Sequence, residues 1–135
     1  VLGMLGSLYA SKGDYQNAKT TFEKAIATNY KYNFAYFILA QIEAKNNPAK
    51  ALEYIELHDK HNGAIPQALD MGIQLAKQQN KGAIASYFEA KKAYLVTKDG
   101  QTAIKKLQES LRQNSNYEPA LRLQDKFEEL RKSQK

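Results

Sequence analysis

Apolar residues recur at intervals of three and four along most of this chain, and short polar turns separate the runs. Positions with this spacing lie on one face of an α-helix. The first two runs predict two helices folded back on each other, because neither could bury its apolar face alone. Their apolar positions, on either side of a turn at residues 12–14, are Leu2, Leu5 and Tyr9, then Ala18, Phe22 and Ala25.

Small residues within these runs indicate where the two helices touch. Gly6 and Ala18 lie twelve residues apart across the turn. We expect the helices to approach closely there, with Tyr9 and Phe22 filling the space beside them. Gly13 suits the end of the first helix, since glycine readily adopts the left-handed conformation of a C-terminal cap.

A second copy of the pattern begins 34 residues after the first. Its turn, around residues 46–48, is one residue shorter. The matching aromatic, apolar and small positions are Tyr36, Leu39, Ala40, Ala51 and Ile55.

Helical spacing continues beyond residue 62, although the motif weakens. Pro66 fits a first helical turn, and a tight turn is expected at residues 98–100. With only three prolines and seven glycines in 135 residues, the composition favours an all-α protein. We predict helices near 66–79, 82–97, 100–113 and 117–132.

Two pairing schemes fit this second half. In the first, the motif continues 32 residues after the second copy and pairs helix 66–79 with 82–97 and helix 100–113 with 117–132. In the second, helix 82–97 pairs with 100–113, which leaves helix 66–79 unpaired. We favour the first scheme, in which the last helix, with one apolar and one polar face, caps the array.

The repeated pattern resembles the 34-residue tetratricopeptide repeat (TPR), with Leu2 and Tyr30 in place of its tryptophan and proline. The motif matches specifically over residues 1–60. Beyond residue 60, only the general helical character matches. It implies an all-α fold: an α-solenoid of three to four antiparallel helix pairs in a right-handed superhelix, with a C-terminal capping helix. We expect one domain over 1–135, with clear repeats at about 1–32 and 33–64 and weaker ones over 65–135, as a piece of a longer protein.

The resemblance also implies a binding surface, since TPR domains commonly bind a peptide or a partner's helix on the concave face formed by the first helix of each pair. Phe34 and Phe37 are the strongest candidates, because Tyr36 and Leu39 already fill the hairpin core and exposed aromatic residues are enriched at interfaces. The alternative is that both pack against the preceding helix. The inward-facing positions are Gly3, Ser7, Ser11, Phe34, Phe37, Gln41 and Lys45.

The net charge of +6 lies mainly in the last third of the chain. Residues 91–135 have eleven Lys and Arg against six Asp and Glu, whereas residues 1–90 have nine against eight. A basic C-terminal third can attract acidic proteins, nucleic acid or anionic membranes. We favour a solvated helix face, because the basic residues alternate with acidic ones. Stacking of nucleic-acid bases on the aromatic run at 30–37 is disfavoured, since Tyr30 and Tyr36 occupy structural positions of the repeat.

Other chemistry finds little support in the sequence. Cysteine is absent, which excludes disulfides and thiolate metal sites. His58 and His61 are three residues apart, but no third metal ligand is fixed, so we predict no metal and no cofactor. Gly3 and Ser7 stand where TPR co-chaperones place the Lys and Asn that clamp a terminal carboxylate, which disfavours that ligand.

We therefore predict a non-catalytic scaffold or adaptor that binds a protein or peptide, without a small-molecule substrate or a membrane span. One alternative is an accessory docking domain of a larger enzyme or of a pilus or secretion machine. A less favoured one is nucleic-acid binding. Compartment, oligomeric state and partner identity stay open.

Overall fold

The computed structural model describes residues 2–28, 33–61 and 65–133, and all regular structure in these ranges is α-helical. The all-α prediction is confirmed, and so are the four predicted helices beyond residue 62, to within two residues at each end. The chain forms two compact units, residues 1–64 and 65–135. The helices are α1 (Leu2–Ser11), α2 (Tyr15–Thr28), α3 (Asn33–Glu43), α4 (Pro48–Lys60), α5 (Pro66–Gln78), α6 (Gly82–Leu95), α7 (Gly100–Gln113) and α8 (Glu118–Ser133).

In the first unit, α1 and α2 form the predicted hairpin. Ala18 and Phe22 are fully buried. A Cβ atom placed on Gly6 would lie 2.8 Å from two carbons of the Phe22 ring. The predicted close approach of the helices at Gly6 is therefore confirmed, and the ring of Phe22 occupies the space that the missing side chain leaves.

The turn between α1 and α2 depends on a left-handed residue. Gly13 has φ of +78°, and the N–H of Asp14 donates to the carbonyl of Tyr9 at 2.9 Å. The Asp14 carboxylate then accepts the backbone N–H of Asn17 at 3.3 Å. The predicted glycine end cap is thus present, and the acidic N-cap residue that follows it completes the reversal of the chain.

The second hairpin pairs α3 with α4, and α3 also contacts α2. Leu39, Ala40 and Ala51 are fully buried within it. Asn47 begins α4 by accepting the N–H of Lys50 at 3.3 Å. Each helix of this hairpin therefore buries its apolar face against a neighbour, in the manner of a stacked repeat.

In the second unit, α6 is the central helix. It packs along α5, as the first pairing scheme predicts, but its packing on α7 is more extensive. The fully buried Ser110 of α7 donates its hydroxyl to the Ala83 carbonyl of α6 at 2.7 Å. α8 makes fewer contacts, which it shares between α7 and α6. The favoured scheme is thus wrong in pairing α7 with α8, because α7 is paired with α6.

The turn into α7 gives a pH-dependent prediction. The backbone N–H and the hydroxyl of Thr102 donate to the Asp99 carboxylate at 3.2 and 2.6 Å. The hydroxyl bond is the main reason that the pKa of Asp99 lies below its ordinary value of 3.8. A lowered carboxylate pKa stabilises the fold above the unfolded-state pKa, and this stabilisation is lost as the pH falls through the folded-state pKa.

We therefore expect Asp99→Ala to lower the melting temperature at pH 6, with the difference from wild type shrinking as the pH falls below 3.8. Asp99→Asn keeps an oxygen that can accept a hydrogen bond from Thr102, but its amide does not titrate. The difference in melting temperature between Asp99→Asn and wild type should therefore also narrow as the pH falls below 3.8. Thermal unfolding followed by circular dichroism between pH 2.5 and 6 measures both. A pH-independent loss in Asp99→Ala would contradict the role assigned to the ionised cap.

Candidate partner-binding surface

An exposed stripe of three side chains runs along α3 and just past its end. Phe34 is 43% exposed, and Gln41 and Lys45 are also exposed. These positions are seven and four residues apart, and therefore lie on one side of the helix. The stripe joins an apolar ring, an amide and a positive charge, which can contact a partner through both apolar packing and hydrogen bonds.

Phe37 lies on the same side of α3 but is only 8% exposed. Its ring meets Phe34 edge to face at 6.3 Å between centroids and lies 6.1 Å from the ring of His58 on α4. The prediction that the core leaves Phe37 free is wrong, since α4 covers it. Phe37 instead lies between the rings of Phe34 and His58.

The candidates on α1 are only partly described. Ser11 is exposed, and its hydroxyl donates to the Leu8 carbonyl at 2.8 Å. That bond is local to the helix end, so the hydroxyl has a partner within its own helix. Ser7 and Gly3 lie on α1, but the side chain of Ser7 and the surroundings of Gly3 lie outside the described residues.

The electrostatics of the stripe are set by a neighbouring ion pair. The Glu43 carboxylate of α3 is largely buried and lies 2.7 Å from Lys19 Nζ of α2. Hydrogen bonding to Glu43, followed by the charge of Glu43, raises the pKa of Lys19. The acidic residue between Gln41 and Lys45 is thus engaged with α2, and Lys45 gives the stripe a positive charge.

The two histidines take structural positions at the back of this surface. His58 is buried beside Phe37, and the His61 ring stacks on Tyr36 at 5.5 Å with 7° between the planes. Among the described residues, no group of three His, Cys, Asp or Glu side chains is placed to hold a metal ion.

Several exposed apolar residues were not predicted. Leu5 was expected on the core face of α1, yet it is 39% exposed, whereas Leu39, 34 residues later, is fully buried. The difference arises because α3 packs on both α2 and α4, while α1 packs mainly on α2. Exposure here depends on neighbouring helices, and the motif alone gave no sign of it. The other exposed large apolar residues are Leu8, Tyr15, Val96, Ile104 and Leu130.

Within each unit, consecutive short helices pack on one another with small residues at their crossings, as in a helical repeat protein. The family comparison makes this specific: the family model described as tetratricopeptide repeat matches residues 1–32. The first helical hairpin is therefore similar to a tetratricopeptide repeat, and this match supports a TPR domain. No curated protein matches the chain. In the part of the chain that the structure describes, no helix has the length and apolar character needed to cross a membrane.

Proposed function

We propose that this chain is a non-catalytic scaffold that binds an extended peptide or a helix of a partner protein on the face formed by α1 and α3. Tetratricopeptide repeats generally mediate protein–protein interaction and are typically non-catalytic. The observation that carries the proposal is the 43% exposure of Phe34 beside the exposed Gln41 and Lys45. A large apolar ring kept in water on an ordered helix is available for binding.

The binding energy would come mainly from the ring of Phe34. Covering its exposed part with partner atoms removes apolar surface from water, which contributes on the order of 25 cal/mol per Å². Because Phe37 already packs against this ring, little side-chain freedom is lost on binding. Gln41 and Lys45 then fix the direction of the bound segment through hydrogen bonds.

Replacing Phe34 with alanine tests this surface. A library of displayed peptides is first selected on the intact chain, and the affinity of the selected peptides is measured by fluorescence polarisation. We expect Phe34→Ala to weaken binding about tenfold, or about 1.4 kcal/mol. The melting temperature should change little, because the ring is already partly in water.

The matched control is Tyr15→Ala, since Tyr15 is an exposed aromatic residue of the same unit that lies on α2. Binding should survive that change. The proposed surface would be contradicted if the selected peptides bound Phe34→Ala as tightly as wild type. It would also be contradicted if Phe34→Ala and Tyr15→Ala lost affinity equally.

A further inference from the structure

The charged residues near the end of α3 differ in whether the chain itself neutralises them. Between residues 41 and 50 they are Glu43, Lys45 and Lys50. The Glu43 carboxylate lies 2.7 Å from Lys19 Nζ of α2, and Lys50 Nζ lies 3.6 Å from the Glu53 carboxylate. Lys45, in contrast, is exposed and forms no ion pair with any residue that the structure describes. Its charge is therefore available to a partner.

Lys45 is also the only charged member of the exposed stripe, because Phe34 and Gln41 are neutral. The acidic residue of the turn between α1 and α2, Asp14, has donors within the chain. Its carboxylate accepts from the backbone N–H and the side-chain amide of Asn17 at 3.3 and 2.7 Å. A stripe with one positive charge, beside a Glu43 carboxylate that is already paired, is complementary to an acidic side chain.

Gln41, in the middle of the stripe, favours an extended segment over a helix. Its side chain is exposed and has both a hydrogen-bond donor and an acceptor. The backbone of an extended segment also has free N–H and C=O groups, whereas those inside a helix are already bonded to each other. Gln41 can therefore bond to the backbone of an extended partner without requiring a particular side chain there.

We propose that the stripe of Phe34, Gln41 and Lys45 selects an extended segment of a protein partner with an apolar residue and, four or six positions away, an aspartate or glutamate. This inference rests on the proposed function and names the class of sequence that the surface recognises. Phe34 and Lys45 are eleven positions apart, which is about 16 Å along a helix. In an extended segment alternate side chains face one side and each residue adds about 3.3 Å, so a spacing of four or six positions spans about 13 or 20 Å. The long side chain of Lys45 covers the difference.

The test uses a displayed peptide library with one fixed leucine and six randomised positions on each side of it, which leaves the direction of binding open. Selection on the intact chain should enrich Asp and Glu at the fourth or sixth position on one side of the leucine. For the selected peptide, we expect Lys45→Gln to weaken binding about threefold at low salt and less at high salt, where charges are screened. Selection on Lys45→Glu should instead enrich Lys and Arg at the same position.

The extended conformation is tested with the same peptide. Proline is placed in turn at each position between the leucine and the acidic residue. Proline fits an extended backbone but breaks a helix. Binding should therefore survive proline at most of these positions, and a loss of binding at all of them would overturn the extended segment.

The matched control is Lys50→Gln, which removes the same charge from an exposed lysine of the same unit that already has Glu53 as a partner. Binding should be unchanged in this variant. Peptides that depend on Phe34 but show no acidic preference, or that bind Lys45→Gln as tightly as wild type, overturn the inference and leave the proposed binding surface standing. If no selected peptide depends on Phe34, the proposed function fails and the inference fails with it.

Discussion

Phe37→Ala is expected to lower the free energy of unfolding of the first unit by about 3 kcal/mol. The Phe37 side chain is 92% buried, and its removal leaves a cavity between the Phe34 and His58 rings. Leu39 and Ala40, beside it on α3, are fully buried and cannot easily move to fill that cavity. Amide hydrogen exchange along α3 and α4 measures the loss in this unit separately from the rest of the chain.

Phe34→Ala is the matched control, because it removes the same side chain from the same helix at an exposed position. We expect it to change the unfolding free energy by less than about 1 kcal/mol. If Phe37→Ala and Phe34→Ala lowered the unfolding free energy equally, the assignment of Phe37 as a buried residue would be contradicted. The pair also explains why replacing both phenylalanines together is a poor test of binding: the double variant loses stability as well as surface.

The sequence could place Phe34 and Phe37 on one face of a helix but could not tell their roles apart. Their spacing of three residues fits both a binding surface and a buried contact. The distinction depends on His58, which α4 brings to within 6.1 Å of Phe37. That contact joins residues 21 positions apart, and helical periodicity has no information about contacts between helices.

The hairpins themselves were predictable where small residues occur in register. Gly6 with Ala18 indicated the crossing of the first pair, and Ala40 and Ala51 stand at the matching small positions of the second pair. Beyond residue 65 the sequence was ambiguous, because both pairing schemes use the same helix, α6. The structure shows why: α6 buries Ala85 and Phe88 as well as Tyr87 and Ala90, and packs on both α5 and α7.

The exposure of Leu130 on α8 was beyond prediction for a related reason. The sequence predicts one apolar face on the last helix. Phe127 fits this prediction, since it packs on Tyr94. Leu130 lies three residues later and is 39% exposed. Whether a position on a helix face is covered depends on contacts with neighbouring helices, and α8 has few such contacts among the described residues.

Gly6→Ala is expected to destabilise the first hairpin by about 2 kcal/mol, although alanine is the better helix former by about 1 kcal/mol. The added Cβ would lie 2.8 Å from Cε2 and Cζ of Phe22. Phe22 is fully buried, so its ring has no solvent to move into, and overpacking of this kind typically costs about 1–3 kcal/mol or more. Hydrogen exchange along α1 and α2, together with urea unfolding of the whole chain, measures the effect.

Gly100→Ala is the control, because a Cβ on Gly100 meets no heavy atom within 4 Å, and alanine there should leave stability unchanged or slightly raised. A double-mutant cycle with Phe22→Leu separates steric overlap from other causes. The smaller leucine makes room beside residue 6, so Gly6→Ala should cost less in the Phe22→Leu background than in wild type. An equal cost in both backgrounds would show that the ring of Phe22 is not what requires glycine at this crossing.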